Sequence, residues 1–145
     1  KSKNITFLKN EFQKEKIKNK FNKILCYSVI QCVNHPTIFY KKIINSLSSD
    51  GKALIGDIPN VNKKYRFLKS EFGRKFEEKR LNKKIKIKNF HDFLKATKQN
   101  KLINDNFIKF ILKHNKKQGR KSYLMEQPKK LPFSYTREDI LIEEI

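Results

Sequence analysis

Two short, mostly apolar runs constrain the fold of this chain more than any other feature. They are ILCYSVI at residues 24–30 and KALIGDI at residues 52–58. Strands that are covered on both faces carry such near-continuous apolar runs, so both segments are predicted to be buried strands. The second run stops at Pro59, which cannot donate a hydrogen bond to a sheet.

The segment between the two runs predicts a helix that crosses from one strand to the next. Pro36 suits the first turn of a helix, and apolar residues recur at helical spacing from Ile38 to Leu47. The residues SSDG at 48–51 then predict a turn. Because a strand, a helix and a strand in this order favour parallel pairing, the predicted fold class is α/β.

The neighbouring segments extend this pattern. Residues 4–9 are expected to form a strand, and residues 11–20 either a short helix or a solvated crossover. A basic helical segment is predicted around residues 62–100, with a break at Gly73, and is interpreted as an insertion into the domain. Within it, residues 83–89 alternate Lys with Ile, which indicates either an edge strand or a mobile connection.

The carboxyl-terminal part predicts a helix followed by two strands. Asn104 and Asp105 are residues that commonly cap a helix start, and Gly119 suits its end. Residues 121–127 and 138–144 are strand-like and are separated by an irregular connection. The predicted sheet is therefore mostly parallel with a terminal antiparallel hairpin.

The net charge of +21 first suggests a nucleic-acid partner. Only five of the 35 basic residues are Arg, the side chain best suited to bidentate recognition of bases and phosphates. The Lys, Asn and Ile that dominate the sequence are also the residues that A/T-rich codons specify. Binding of nucleic acid is therefore less favoured than a solvated basic surface.

The cysteines and the distribution of apolar residues bear on the cellular compartment of the protein. Cys26 and Cys32 have no neighbouring metal ligands and are interpreted as reduced core thiols. No apolar run approaches the roughly 18 residues that a membrane-spanning helix needs, and no secretory signal begins the sequence. A cytoplasmic location is expected.

Four segments resemble parts of class I S-adenosylmethionine-dependent methyltransferases, a family in which a terminal hairpin follows the last helix of an α/β sheet. KILCYSVIQCV resembles the fourth strand with its following loop, and LSSDGKALIGDIPN resembles the fifth strand. KKYRFLKSEFG and LPFSYTREDILIEE resemble the next segment and the closing hairpin of a bacterial subgroup associated with sugar or surface-glycan modification. The resemblance implies a Rossmann-like sheet that binds S-adenosylmethionine.

The resemblance implies that residues 4–9 are the third strand of the family's sheet and that residues 1–145 form a partial methyltransferase domain. The four glycines of the chain do not form the Gly-rich loop against which the family's cofactor rests after the first strand. We therefore expect the amino-terminal strands to be supplied by an upstream segment, or by a partner chain that completes a degenerate domain.

The resemblance implies a cofactor side formed by the ends of two strands. Asn10 and Glu11 occupy the place of a polar residue that binds the adenine amino group, although a simple strand-ending turn is an equal alternative. Tyr27, Ser28 and Val29 end a buried strand at the edge where open α/β sheets bind ligands. Core packing is the alternative for Val29.

Two residues are candidates for proton transfer. Asp57 follows ALIG directly, and a carboxylate there is costly unless it is paired or opens into a cleft. His35 lies in the loop after the first apolar run, beside Gln31, and an imidazole is a possible general base at neutral pH. The alternative for His35 is a structural role at the helix entry.

The loop after Ile58 is predicted to contact the methyl acceptor. Asn60 carries both donors and an acceptor for a polar ligand, and Gln31 faces the same region from the other strand. Tyr65 and Arg66 follow, and Arg66 is able to clamp a carboxylate or phosphate. A basic surface helix is an equal alternative for the last two residues. No metal is implied.

The leading hypothesis is methyl transfer from S-adenosylmethionine to a small polar acceptor, such as a sugar or surface-glycan precursor. The alternative is a non-enzymatic basic module that binds RNA through Lys-rich faces and exposed aromatic residues. An RNA methyltransferase would combine the two.

Overall fold

The computed structural model describes residues 4–144, which contain four strands and five α-helices. The elements in chain order are β1 (Phe21–Tyr27), α1 (Pro36–Ser46), β2 (Leu47–Pro59), α2 (Val61–Lys69), α3 (Glu71–Leu81), α4 (Phe90–Ala96), α5 (Asp105–Lys117), β3 (Arg120–Glu126) and β4 (Arg137–Glu144). The predicted α/β class is confirmed.

The four strands form one mixed sheet in the order β1-β2-β4-β3. β1 and β2 are parallel and are joined by α1, because a parallel pair needs a long crossover. β4 is antiparallel to both β2 and β3. The predicted parallel pair and the terminal antiparallel hairpin are therefore both present, and the hairpin joins the sheet through its last strand.

The main core lies on one face of this sheet, beneath α1 and α5. β2 contributes Ala53 and Ile55 to it, and β4 contributes Ile140 and Ile142, all four fully buried. The helices cover these residues with large side chains at helical spacing: Phe39, Tyr40, Ile43 and Ile44 from α1 and Phe107, Ile108 and Ile111 from α5. The hydroxyl of Tyr40 is hydrogen-bonded to Asn115, which ties the two helices together.

The opposite face of the sheet is open. The strand pairing places Leu25, Leu54, Leu141 and Tyr123 in one row across all four strands. Leu25 is 72% exposed and Tyr123 is 44% exposed. The prediction that the strands are covered on both faces is therefore wrong for the described chain: this row of side chains points away from α1 and α5, and both of its ends are exposed.

The predicted strand at residues 4–9 is also wrong. These residues make no strand pairing and are exposed, and Phe7 is 90% exposed. A strand is stable only when a neighbour satisfies its backbone groups, and the sheet of the described residues ends at β1 on this side. Further along, Phe12 instead packs edge-on against Phe39 of α1, at 5.3 Å between ring centroids.

Two predicted boundaries differ from the structure. Residues 48–51 lie within β2 as an irregular bulge rather than a turn, and the Arg120 guanidinium donates to the Ser48 carbonyl (2.6 Å) and the Gly51 carbonyl (3.2 Å). The helical segment breaks at Ser70, which ends α2 and caps α3. The break predicted at Gly73 is wrong.

The basic segment around residues 62–100 forms α2, α3 and α4 about a second, smaller cluster of Val61, Leu68 and Phe93. Residues 83–89 are not an edge strand; Ile85 and Ile87 pack against this cluster instead. The interpretation of the segment as an insertion stays a prediction.

The cysteine prediction is half confirmed. Both thiols are free, but Cys26 is buried whereas Cys32 is exposed, so only the first is a core thiol. Burial raises the pKa of Cys26 to about 11. In the part of the chain that the structure describes, no helix is long and apolar enough to cross a membrane.

We expect the two faces of the sheet to differ in their contribution to stability. Ile55→Ala removes a fully buried side chain and should lower the free energy of unfolding by about 2–5 kcal/mol. Leu25→Ala on the open face should change it by less than about 0.5 kcal/mol. Urea unfolding of the two variants measures both, and equal losses would contradict the one-sided core.

Candidate functional site

The backbone turns into the left-handed region at the carboxyl ends of both parallel strands. Ser28 follows β1 with a φ of 56°, and Asp57 lies near the end of β2 with a φ of 56°. Neither is a glycine, so each costs about 1–2 kcal/mol of backbone strain. Ser28 N–H donates to the Gly56 carbonyl at 3.2 Å, which holds the two turns side by side.

A bulge in β2 explains the conformation of Asp57. Between Ile55 and Ile58 the pairing with β4 slips, so that Gly56 and Asp57 together lie opposite Asp139. The backbone N–H of Asp57 donates to Asp139 Oδ1 at 2.8 Å, which satisfies a donor that the interrupted ladder leaves free. Bulges of this kind redirect a side chain at the end of a strand.

The carboxylate of Asp57 is held by two groups. Ser28 Oγ donates to Asp57 Oδ2 at 2.6 Å. Arg137, the first residue of β4, places Nε at 3.6 Å from Asp57 Oδ1 and donates from Nη1 to the Asp57 carbonyl at 3.4 Å. Of the two possibilities that the sequence left open for this carboxylate, pairing is observed.

A second group of side chains borders the carboxylate. Gln127 Nε2 donates to Asp139 Oδ1 at 2.9 Å and to the Tyr27 hydroxyl at 3.2 Å. A Cβ on Gly56 would lie 2.3 Å from the Tyr27 ring, so only glycine admits the ring at this place. We call Tyr27, Ser28, Asp57, Gln127, Arg137 and Asp139 the strand-end cluster.

The electrostatics of the strand-end cluster follow from one partly buried cation between carboxylates. Burial lowers the pKa of Arg137, and the nearby Asp57 opposes that shift. Desolvation, with the charges of Asp139 and Asp57 added, raises the pKa of Tyr27, which keeps its hydroxyl protonated. The cluster thus offers a neutral phenol, a hydroxyl and carboxylate oxygens at the edge where open sheets bind ligands.

The structure joins only some of the predicted site residues. Tyr27, Ser28 and Asp57 meet in the strand-end cluster, and Val29 next to them is partly exposed rather than core. Gln31 lies in a single 3₁₀ turn, Ile30–Cys32, and its buried Oε1 has no hydrogen-bond partner among the described residues.

His35 stands at the entry to α1. Its carbonyl accepts from Phe39 N–H at 3.0 Å, and its side chain makes no capping bond. The imidazole is exposed. The structural alternative therefore accounts for its backbone, while a catalytic role for its side chain stays a prediction.

Asn10 and Glu11 do not end a strand, so their predicted placement is wrong. Asn10 Nδ2 donates to Glu15 at 2.6 Å, and Glu11 pairs with Lys14 at 2.9 Å in a local turn. The physical reason is that residues 4–9 have no strand partner. Nothing in these local contacts joins them to the strand-end cluster.

Asn60 and Arg66 belong to a polar network around Asp105 at the start of α5. Asn60 is 1% exposed and caps α2, accepting from the N–H groups of Asn62 and Lys63. Its Nδ2 donates to Asp105 at 2.7 Å and to Glu138 at 3.2 Å. Arg66 donates to the same Asp105 carboxylate at 2.6 and 3.2 Å. These groups already have protein partners.

Tyr65 packs in the smaller cluster rather than beside Arg66. Its ring centroid lies 5.0 Å from Phe90 and 5.6 Å from Phe93. A substrate-binding role for Tyr65, Asn60 or Arg66 stays a prediction that the contacts do not favour.

The sequence argument missed Gln127, Arg137 and Asp139. A signal was present, since Arg137, Asp139 and Leu141 alternate with the apolar residues of β4 and must share a face. The register of β4 against β2, which sets Asp139 opposite the bulge, has no sequence signature.

S-adenosylmethionine, which the resemblance implies, would find only part of its site among the described residues. Tyr27 and Ser28 lie at the strand end where the resemblance places the adenine. The glycines at 51, 56, 73 and 119 do not form a cradle next to β1. Within residues 4–144, no group of three His, Cys, Asp or Glu is placed to hold a metal ion.

Fold and site together define an α/β protein with a mixed sheet and a polar cluster at the carboxyl ends of its parallel strands. A comparison with protein-family models finds no match, and a comparison with curated proteins finds no significant one.

The strain at Ser28 can be tested by two substitutions that both remove its hydroxyl. Ser28→Gly relieves the positive φ and Ser28→Ala does not, so the Gly variant should be more stable by about 1 kcal/mol. At Thr37 in α1 the Ala variant should instead be more stable than the Gly variant, because Ala stabilises a helix by about 1 kcal/mol relative to Gly. Urea unfolding gives all four values; an Ala variant at 28 as stable as the Gly variant would contradict the strained turn.

The network around Asp105 predicts a pH dependence. Hydrogen bonds from Arg66 lower the pKa of Asp105 below its ordinary 3.8. A carboxyl group whose pKa is lowered in the folded state stabilises the fold. This contribution is complete at pH values above the ordinary pKa, and it is lost as the pH falls through the pKa of the folded state. The stability gap between the wild type and Asp105→Asn should therefore narrow as the pH falls from about 6 to about 2. Urea midpoints measure it, and a constant gap would refute the coupling.

Proposed function

We propose that this chain is the carboxyl-terminal part of a class I S-adenosylmethionine-dependent methyltransferase domain that methylates a small polar acceptor. The observation that carries the proposal is the strand-end cluster, because Asp57 is held in a strained bulge at the carboxyl end of a parallel strand. Strain of this kind persists where a surrounding structure imposes it, and it concentrates at functional sites.

The sheet supports the same proposal. If β1 and β2 are the fourth and fifth strands of that family, a helix should join them and an antiparallel hairpin should follow the last helix. Both features are present, since α1 joins β1 to β2, and β3 and β4 follow α5. The acceptor would be a sugar or surface-glycan precursor, because the closing hairpin resembles that of the bacterial subgroup associated with such modifications.

The residues of this chain would position the acceptor and take its proton. When bound, S-adenosylmethionine supplies the methyl group. Asp57, oriented by Ser28 and Arg137, accepts or orients the proton of the acceptor's nucleophilic atom. Methyl transfer depends on holding the reacting groups in line more than on covalent catalysis, so a rigid carboxylate is an advantage.

The remainder of the cofactor site would come from residues outside this sheet, either upstream in the polypeptide or in a partner chain. Two surfaces support this. β1 pairs with β2 alone within residues 4–144, which leaves its other edge open, and the row from Leu25 to Tyr123 is an apolar face without cover. Exposed edges and large apolar faces are surfaces that proteins normally cover. A cytoplasmic location stays part of the proposal.

RNA binding is the second candidate. An open groove of about 850 Å³ beside α3 and α4 is lined by Lys83, Lys84, Lys86 and Lys98. Such a surface would bind RNA with an affinity that falls steeply as salt rises. An RNA methyltransferase would show both this dependence and cofactor binding.

Calorimetry with S-adenosylmethionine tests the proposal on the polypeptide extended by its upstream coding sequence. We expect saturable binding at one site in the wild type and in Asp57→Asn, because Asn accepts a positive φ and preserves the turn. Methyl transfer by Asp57→Asn should fall about 10²–10⁴-fold. Asp50→Asn, an exposed carboxylate in the bulge that begins β2, should leave transfer unchanged.

Two results would count against the proposal. A folded, extended polypeptide that binds no S-adenosylmethionine would refute it, as would equal transfer by Asp57→Asn and Asp50→Asn. Salt-dependent RNA binding without cofactor binding would favour the second candidate.

A further inference from the structure

A small, partly enclosed cavity is lined in part by Arg137, which also belongs to the strand-end cluster. Its volume is about 60 Å³, and α2, α3 and the connection between β3 and β4 surround it. The residues that the argument uses are Lys64, Glu77, Gln99, Phe133 and Arg137. Space of this size holds a few water molecules or one small oxyanion.

The charge around this cavity is positive and incompletely paired. Lys64 and Arg137 line it together with one carboxylate, Glu77. Glu77 is already committed to Arg80, whose Nε and Nη2 donate to it at 2.7 and 2.5 Å. The Lys64 ammonium has no hydrogen-bond partner or close ion pair among the described residues. Burial lowers the pKa of Lys64, the charge of Glu77 opposes that shift, and the charges of Arg137 and Arg80 add to it.

Two polar atoms of the lining are buried without a partner. Arg137 Nε and Gln99 Oε1 make no hydrogen bond to any described residue. The Arg137 side chain is only 15% exposed, and its Nε stands 3.6 Å from Asp57, beyond hydrogen-bond distance. Buried polar atoms are almost always satisfied, so the unpaired Nε donor of Arg137, a residue that lines the cavity, favours a polar ligand there. Gln99 Oε1 is an acceptor that a water molecule or a ligand hydroxyl would satisfy, so the donor that Gln99 offers to a phosphate is its Nε2.

Aromatic rings fix the cations in place. The guanidinium groups of Arg80 and Arg137 each lie 5.3 Å from the centroid of Phe133. Phe67 and Tyr135, also in the cavity wall, stack at 5.2 Å with an angle of 8° between their planes. A guanidinium held against a ring loses freedom of movement, and its several donors suit bidentate binding of a phosphate.

We propose that this cavity binds the terminal phosphate group of a small molecule through Lys64, Arg137 and the side-chain amide of Gln99. The basic groove shares Lys64, Leu68 and Glu77 with the cavity, so it offers room for the rest of the ligand. A terminal phosphate fits a partly closed cavity, whereas a phosphodiester of RNA carries sugars on both sides.

The inference adds a substrate class to the proposed function and rests on it only in part. Arg137 touches both the cavity and Asp57, so a phosphate bound here would hold a phosphorylated acceptor beside the strand-end cluster. Phosphate binding itself does not require the cofactor.

Calorimetric and NMR titrations with inorganic phosphate, glucose 1-phosphate and a short single-stranded RNA test the inference. We expect saturable binding of glucose 1-phosphate at one site per chain. Lys64→Met should weaken that binding at least about 10-fold, since it removes a hydrogen bond from a charged group. Lys69→Met, the same change at an exposed position of α2, should alter it less than about 2-fold.

The chain carries a high positive charge, so the matched pair is decisive. Equal weakening of glucose 1-phosphate binding in the Lys64 and Lys69 variants would mean that the ligand is attracted by the overall positive charge, and it would overturn the inference. Binding of RNA without binding of glucose 1-phosphate would overturn it as well. If Lys64→Met does not fold, as judged by its thermal transition, Gln99→Leu replaces it with the same expected direction. S-adenosylmethionine titration of the extended polypeptide separates the two proposals: cofactor binding without phosphate binding refutes only the inference, and phosphate binding without cofactor binding refutes only the methyltransferase.

Discussion

The position of β4 in the sheet is the constraint on which the site depends. As the last strand, β4 lies between β2 and β3 and contributes Ile140 and Ile142 to the core. The same strand carries Arg137 and Asp139 to the bulge at Asp57. Loss of β4 would therefore remove the core of the sheet and the support of the site together, whereas changes in α4 act on a separate, smaller cluster.

Two opposing effects meet at the ends of the parallel strands. The positive φ values of Ser28 and Asp57 cost free energy, and the hydrogen bonds among Ser28, Asp57 and Asp139 offset that cost. A carboxylate with a charged partner on one side and a hydroxyl on the other is rigid, which suits an acceptor that must be aligned. The cation Arg137 extends this arrangement to the cavity that it lines, so one side chain links the two proposed sites.

The sequence was informative where apolar patterns are local. The two parallel strands, α1, α5 and the hairpin could all be predicted, because caps, periodicity and Pro36 lie within each element. The prediction of a strand at residues 4–9 was wrong because a β-prone segment forms a strand only when a neighbouring strand is available to pair with it. Tyr27, Ser28 and Asp57 lie together at strand ends, as their places in the sequence predicted, while their functional roles stay predictions. Arg137 and Gln127 were missed because strand register and long-range contacts depend on packing between distant segments.

Hydrogen exchange measured on the extended polypeptide, with and without S-adenosylmethionine, tests the central claim most directly. The account predicts that the cofactor slows exchange at residues 27–31, which follow β1, and at the bulge, residues 55–58. The account would be contradicted if the cofactor had no effect on exchange and if RNA slowed exchange only at residues 83–98 of the basic groove.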